Sequence, residues 1–426
     1  MPPEALPPES QAATKPADVL VVGGGIVGVS CALGALERGL SVVLCDPGEA
    51  RRRASYGNAG CISRSSLIPM SGPGLWRNLP NYLFNRDPGL RLDYAKLPRI
   101  APWVLGFMRA ANGRALRRAA IALDRLASRA FDAHMHLAAR TDAASLIKRE
   151  GMLRLYRSES AFADAAHERE ILTEHGVKFE VIEGKALREL EPALKRPFTK
   201  GVLYPETGSV SDPGALLEAY RKLFVDGGGR IVEASVETLR PEGEGWRAGF
   251  AGGGIGARQA VLAAGGWAHA FTRALGYRFP LAVERGYHLH LVPGEGPPLR
   301  RPIHDSGGYH MLAPMRQGVR VTSGVELAPL SAPPDPTQID AAVREARVTL
   351  ALGAQVENEP WLGSRPSTPD GLPVIGEAPR HRGLFLAFGH GHIGLSNGPI
   401  TGQVIGDLLL GRKPEFDITP FSAERF

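Results

Sequence analysis

An α/β fold, α+β over the whole chain, is predicted, with a nucleotide-binding parallel-sheet unit joined to a second, mixed-sheet unit. Three stretches carry the prediction: a glycine-rich strand-to-helix turn near the start, a buried strand near Gln259, and a strand, glycine loop and helix at the end. In the first stretch Val19 to Val22 are β-preferring and apolar, as a buried parallel strand requires. Gly23 permits a sharp turn, Gly25 permits close backbone approach to a pyrophosphate, and Gly28 permits tight packing of the apolar helix expected from Val29 to Leu36, with Ile26 and Val27 in the turn as further cofactor-contact candidates. The N-terminus of that helix favours negative charge. Val42 to Cys45 form the next strand, and Asp46 at its end is placed to accept both ribose hydroxyls and to disfavour a 2'-phosphate. Strand, glycines, helix and terminal acid in this order read as a Rossmann-like dinucleotide cradle.

Composition bounds the rest. A chain of 426 residues is long for a single core, which favours two units, and 43% hydrophobic with 22% charged residues is ordinary for a globular protein. The net charge of +6, without dense basic blocks beyond Arg51 to Arg53 and Arg117-Arg118, points to anionic small molecules or an anionic membrane surface and away from nucleic acid. Cys31, Cys45 and Cys61 have no CxxC spacing and leave an odd count, so neither a disulfide framework nor a local metal site is expected, and a reducing, cytoplasmic setting is the simplest reading. Residues 1–16, rich in Pro and Ala, read as a disordered tail. No apolar run reaches the length of about eighteen residues needed to span a bilayer.

Along the chain, Ser55 to Gly60 form a small-residue loop that lets a cofactor approach. Residues 71–149 read as a helical insert, with a helix expected from Ala115 to Lys148 on the spacing of Leu123, Leu126, Ala130, His134 and Leu137. Strands follow at Met152 to Tyr156 and Gly201 to Pro205. Asp212 then caps a helix from Ala215 to Val225 with Pro213 in its first turn. Short strands are expected at Arg230 to Val232 and Ser235 to Leu239, and a buried strand at Gln259 to Trp267, where Ala264 and Gly265 are small enough to lie beside a cofactor. Residues 276–330 alternate as strands of a second sheet. At the end, Gly383 to Phe388 form a strand, Gly389-His390-Gly391-His392-Ile393-Gly394 a loop, and Asn397 to Leu410 a helix; if a flavin ring sat against that loop, the helix N-terminus would stabilise the negative charge that develops on reduction.

Taken together, the N-terminal cradle, Asn58-Ala59-Gly60, Glu284-Arg285-Gly286-Tyr287-His288, the run from Arg365 to Gly376 (RPSTPDGLPVIG) and Gly389-His390-Gly391 resemble the bacterial FAD-dependent D-amino-acid dehydrogenases of the glycine oxidase and D-amino-acid oxidase superfamily. The likeness runs over nearly the whole chain from residue 17. Within it, the Glu284 to His288 motif and the loop from Gly389 to Leu395 lean toward the branch acting on cis-4-hydroxy-D-proline. The resemblance implies one non-covalent FAD, contacted by Gly23, Gly25, Gly28, Asp46, Asn58, Ala59, Gly60 and Cys61, by the backbone of Val236, and by Ala264, Gly265 and the loop Gly389 to Gly394. It implies that Arg365 clamps the substrate carboxylate, with Tyr287, His288, Tyr309 and His310 as weaker candidates for the substrate wall.

The resemblance implies hydride transfer from the α-carbon of an amino or imino acid to flavin N5, with electrons passed to a quinone or another acceptor. An oxygen-using amine oxidase of the sarcosine or glycine oxidase type is the alternative; a non-autonomous FAD-binding subunit is the third. The expected FAD-binding unit comprises residues 17–70, 205–275 and 361–426, and the substrate unit 71–204 and 276–360. In Leu97 to Arg109, apolar residues between Arg99 and Arg109 suit either a peripheral membrane contact or an internal helix.

Overall fold

The computed structural model describes residues 17–72, 74–87, 89–94 and 100–426; the expected N-terminal tail and Leu97 to Arg99 lie outside them. The first sheet has eight strands, with a parallel core in the order Arg230–Glu233, Val42–Asp46, Ala17–Val22, Gly253–Leu262, His381–Phe388. Parallel strands end on the same edge of a sheet, so the turns after Val22, Leu262 and Phe388 meet there. The first helix, Ile26–Leu36, and the last, Gly394–Leu409, pack side by side over this sheet. Their contact is close enough that a Cβ at Gly402 would stand 2.1 Å from Ser30 O, which holds both helix N-termini at that edge.

The second sheet has eleven strands and is built around the long strand Ala282–Pro293. That strand pairs antiparallel with Gly318–Thr322, Val325–Leu327, Leu352–Gln355 and Trp361–Ser367. The sequence reading grouped residue 361 onward with the nucleotide unit. The pairing of Trp361–Ser367 along Ala282–His288 puts this strand in the second sheet instead, because its partner strand is supplied from there.

Several expected elements shift for identifiable reasons. The long helix runs Gly113–Ala138 rather than to Lys148, and Ile147–Lys148 instead pairs with Ser209 and Val210 in a small three-stranded sheet. Buried His134 ties this helix to Leu395 O (2.7 Å) and to the Tyr220 hydroxyl (3.0 Å). The strand expected at Gln259 to Trp267 stops at Leu262, and Gly265–Trp267 is a 3-10 turn. Val236 lies in a loop before the strand Thr238–Glu242, because the chain leaves the parallel sheet at Ala234, whose N–H donates to Asp46 O. Asp212 caps its helix as expected, its carboxylate accepting from Ala215 N at 3.0 Å.

Candidate active site

Two glycines show what the cradle demands. Gly23 sits at φ +108, and an added Cβ there would lie 2.5 Å from Ala263 O; a Cβ at Gly28 would lie 1.8 Å from Gly23 O. Gly25 differs, since a Cβ would meet only Ser55 Oγ at 3.6 Å, so its small size serves a ligand's approach and not the protein's own packing. Ser55 Oγ accepts the Ile26 N–H at 3.0 Å, which joins the loop Ser55 to Gly60 to the helix N-terminus.

From this turn three cavities run in series. The first, about 280 Å3, is lined by Gly23, Gly25, Asp46, Val236, Ala264 and Gly265 among others. It shares Ala263, Gly265 and Pro366 with a second of about 90 Å3, lined by Ile26, Val27, Asn58, Arg365, His390, Gly391 and Gly394. His390 and Gly391 in turn border a third of about 230 Å3, lined also by Phe107, Glu284, Gly389, His392 and Ile393. An elongated, mostly apolar channel with a few convergent polar groups is the form a dinucleotide cofactor and a small substrate require.

Asp46 is more engaged than expected. Its Oδ2 accepts Gly24 N–H at 2.7 Å, and its Oδ1 accepts Gly48 N–H at 3.0 Å and pairs with buried Arg53 at 2.7 Å. Burial pushes its carboxyl up, but Arg53 and the two backbone donors prevail and hold it below the usual carboxylate value. The acid is therefore a fixed anion at the cavity wall, with only its remaining lone pairs open to a ribose. Arg53, noted in sequence only as the end of a basic block, is the partner of Asp46 that sequence reasoning missed.

Of the other cofactor candidates, Gly28, Ala59, Gly60 and Cys61 border none of the three cavities. Gly28 acts through packing. Asn58 Oδ1 accepts Gly60 N–H at 2.8 Å and shapes the loop, Gly60 O accepts Val210 N–H at 2.6 Å, and Cys61 pairs with Ser209 in the small sheet. Burial pushes the Cys61 thiol up to about 12, so it stays protonated.

Alternation on Ala282–Pro293 sorts the substrate candidates. Arg365 borders the middle cavity, lies across from Glu284 on the neighbouring strand, and presses on Gly286, where a Cβ would stand 2.5 Å from its guanidinium nitrogens. Its Nη1 is buried and has no protein hydrogen-bond partner. Burial lowers its pKa against the opposing charge of Glu284. Tyr287 points the other way: its hydroxyl donates to Glu326 at 2.7 Å and accepts Asp335 N–H at 2.9 Å in a separate core, which removes it from the substrate wall. His288 faces inward but packs flat on Trp361 with Nδ1 3.1 Å from Gly57 O; burial, with Arg320 and His290 nearby, takes it down to about 2, so it supports the loop as a neutral ring.

Tyr309 and His310 are not at the site. Tyr309 is 39% exposed at φ 50 and bonds to Asp87; His310 is buried with Nδ1 3.1 Å from Gly308 O, near Asp305 and Arg157. Both follow a strand turn that leads away from the cavities. His390 is buried, 3.0 Å from Thr401 Oγ1, and burial lowers it to about 3. Among the described residues, His288, His290 and Glu357 have metal-ligand chemistry, but His290 is bonded to Glu357 and receives Arg320 Nε at 3.0 Å, beside a buried cation unsuited to a metal.

Two further residues reach the third cavity without having been assigned to it. Glu284 is buried and its Oε2 lies 2.7 Å from His392 Nε2; its place two residues before Gly286 on the same strand face was the available signal. Phe107 comes from the helix Ala101–Ala110, where Trp103 is 4% exposed, stacks on Phe107 and donates to Ser367 O at 3.0 Å. That helix covers the site, so its aromatic residues face inward and not toward a surface. Among the described residues no helix is long and apolar enough to cross a membrane.

The glycine cradle at the sheet edge, the channel, and a second sheet laid over it define a flavin-binding oxidoreductase fold. The chain belongs to the family described as FAD dependent oxidoreductase, whose model matches residues 18–408. It is 34% identical to a D-amino-acid oxidase of Bradyrhizobium diazoefficiens, over 96% of this chain and 98% of that one, and 29% identical to a D-amino acid dehydrogenase of Cereibacter sphaeroides, over 96% and 95%. The fold is that of glycine oxidase from Geobacillus kaustophilus, with TM-score 0.73 at 23% identity over 97% of this chain and all of that one. The cofactor is FAD, and the residues fit it: the open approach at Gly25, the apolar channel and the two helix N-termini would hold its pyrophosphate and ring.

Proposed function

We propose that the protein oxidises the Cα–N bond of a D-amino or D-imino acid, with cis-4-hydroxy-D-proline the favoured substrate, and passes the electrons to a quinone or another acceptor. The observation that carries the reading is the buried, partnerless Nη1 of Arg365 at the cavity wall, since an α-amino acid brings the carboxylate that such a group needs. Bound FAD supplies the hydride acceptor. The protein's part is to hold the carboxylate on Arg365, to place the α-carbon in the channel between Arg365 and the loop Gly389 to Gly394, and to exclude water with Phe107, Leu123 and Ile393. The hydroxyproline reading is supported by Glu284 and His392, which come from the two motifs that suggested it and meet in one cavity.

An oxygen-using oxidase is the second reading, favoured by the name of the relative at 34% identity, whereas the relative at 29% is a dehydrogenase. Peripheral membrane contact is also proposed. Its support lies in exposed Met70, Trp76, Leu83, Phe84 and Leu105, and no longer in Trp103. The deciding experiment is anaerobic bleaching of the flavin by a panel of D- and L-amino acids, followed by reoxidation with oxygen or a quinone analogue. Bleaching by D-forms and fast reoxidation only by quinone are expected. Bleaching by L-forms alone overturns the stereochemistry, and equal turnover with oxygen overturns the dehydrogenase reading.

A further inference from the structure

The third cavity holds a charge that the proposed reaction, as stated, does not use. Glu284 and Arg365 are register partners in adjacent antiparallel strands, so both present to the same face. Glu284 is 3% exposed and borders the cavity together with His392. A carboxylate that deep is costly unless it is paired. Burial alone would push its pKa up, but His392, Ser367 and Arg365 outweigh burial and keep it below the ordinary value. The site therefore offers an anion receptor and a cation receptor in cavities joined at His390 and Gly391. An α-amino acid has the matching form, a carboxylate and a protonated nitrogen on one carbon.

We infer that Glu284, beside His392, binds the protonated amino or imino nitrogen of the substrate and so fixes the orientation of its Cα–N bond. The inference rests on the reading of Arg365 as the carboxylate clamp.

The test uses the FAD-loaded enzyme and two probes, D-proline and cyclopentanecarboxylate, which has the same ring and carboxylate but no nitrogen. D-proline affinity is read from the concentration dependence of anaerobic flavin bleaching, and that of cyclopentanecarboxylate, which cannot reduce the flavin, from perturbation of the flavin absorbance. Glu284→Gln is expected to weaken D-proline by about tenfold or more, the usual scale for losing one partner of a buried charge pair, while cyclopentanecarboxylate binds within about threefold of wild type or tighter. Equal loss of both probes, or unchanged D-proline affinity, overturns the inference. Arg365→Ala is expected to weaken both; if it weakens neither, the carboxylate reading fails. If neither probe binds wild type, the proposed function fails and the inference with it. Should Glu284→Gln not retain FAD, His392→Gln at the exposed edge is expected to show the same selectivity at about threefold, and an unselective loss there overturns the inference.

Discussion

The cradle around Gly23 to Gly28 and the wall strand Ala282–Pro293 both carry short motifs, yet they deliver residues to the site by different geometry. In the cradle a tight turn gathers consecutive residues at one point, so Gly23, Gly25, Ile26 and Val27 all border the channel. In the wall an extended strand sends neighbours to opposite faces. Glu284, Gly286 and His288 turn toward the nucleotide unit, while Arg285 donates to Pro333 O at 3.1 Å and Tyr287 to Glu326 on the far side. Adjacency in sequence therefore reports a shared site in a turn and the reverse in a strand.

The largest expected effect breaks the wall alone. Arg365→Ala should retain FAD while kcat/KM falls by about 2–5 kcal/mol of transition-state binding, the cost of removing one partner of a buried charge pair. Flavin content by absorbance and steady-state kinetics on the same sample check it. If flavin and activity are lost in parallel, Arg365 holds the structure together and the two regions are not separable.

The cradle should behave oppositely. Gly28→Ala places a methyl 1.8 Å from Gly23 O, where backbone and not a flexible side chain must move. A loss of about 1–3 kcal/mol in urea unfolding, together with weakened FAD retention, is expected. A variant with wild-type stability and full flavin would mean that the turn can relax.

The smallest effect sharpens how the wall supports the loop beside the cradle. His288 is held neutral when folded, its pKa pushed down by burial to about 2 from the ordinary imidazole value of 6.5. Below pH 6.5 the unfolded chain takes a proton that the folded one refuses, so stability present above that pH declines as pH falls, by up to about 1.4 kcal/mol per unit for one histidine. His288→Gln should flatten the dependence of the urea midpoint between about pH 6.5 and about pH 5. An unchanged slope would show that the ring is protonated in the folded state.

Sequence by itself determined the parts whose geometry closes within a few residues. The strand, the glycine turn and the helix from Ala17 to Leu36, the Asp212 cap and the strand before Gly389 all follow from local propensity and backbone freedom, and all are present. Arg365 was singled out through the family motif that contains it, and the packing places it at the wall of the middle cavity. Only the tertiary structure decided which face each strand buries and which distant groups meet. It turned Tyr287 outward, left Tyr309 and His310 away from the channel, bound Asp46 to Arg53, and brought Glu284 to His392. The physical reason is that a strand's alternation is exact but its phase is set by the sheet it joins, and a buried charge is satisfied by whatever partner the packing brings near.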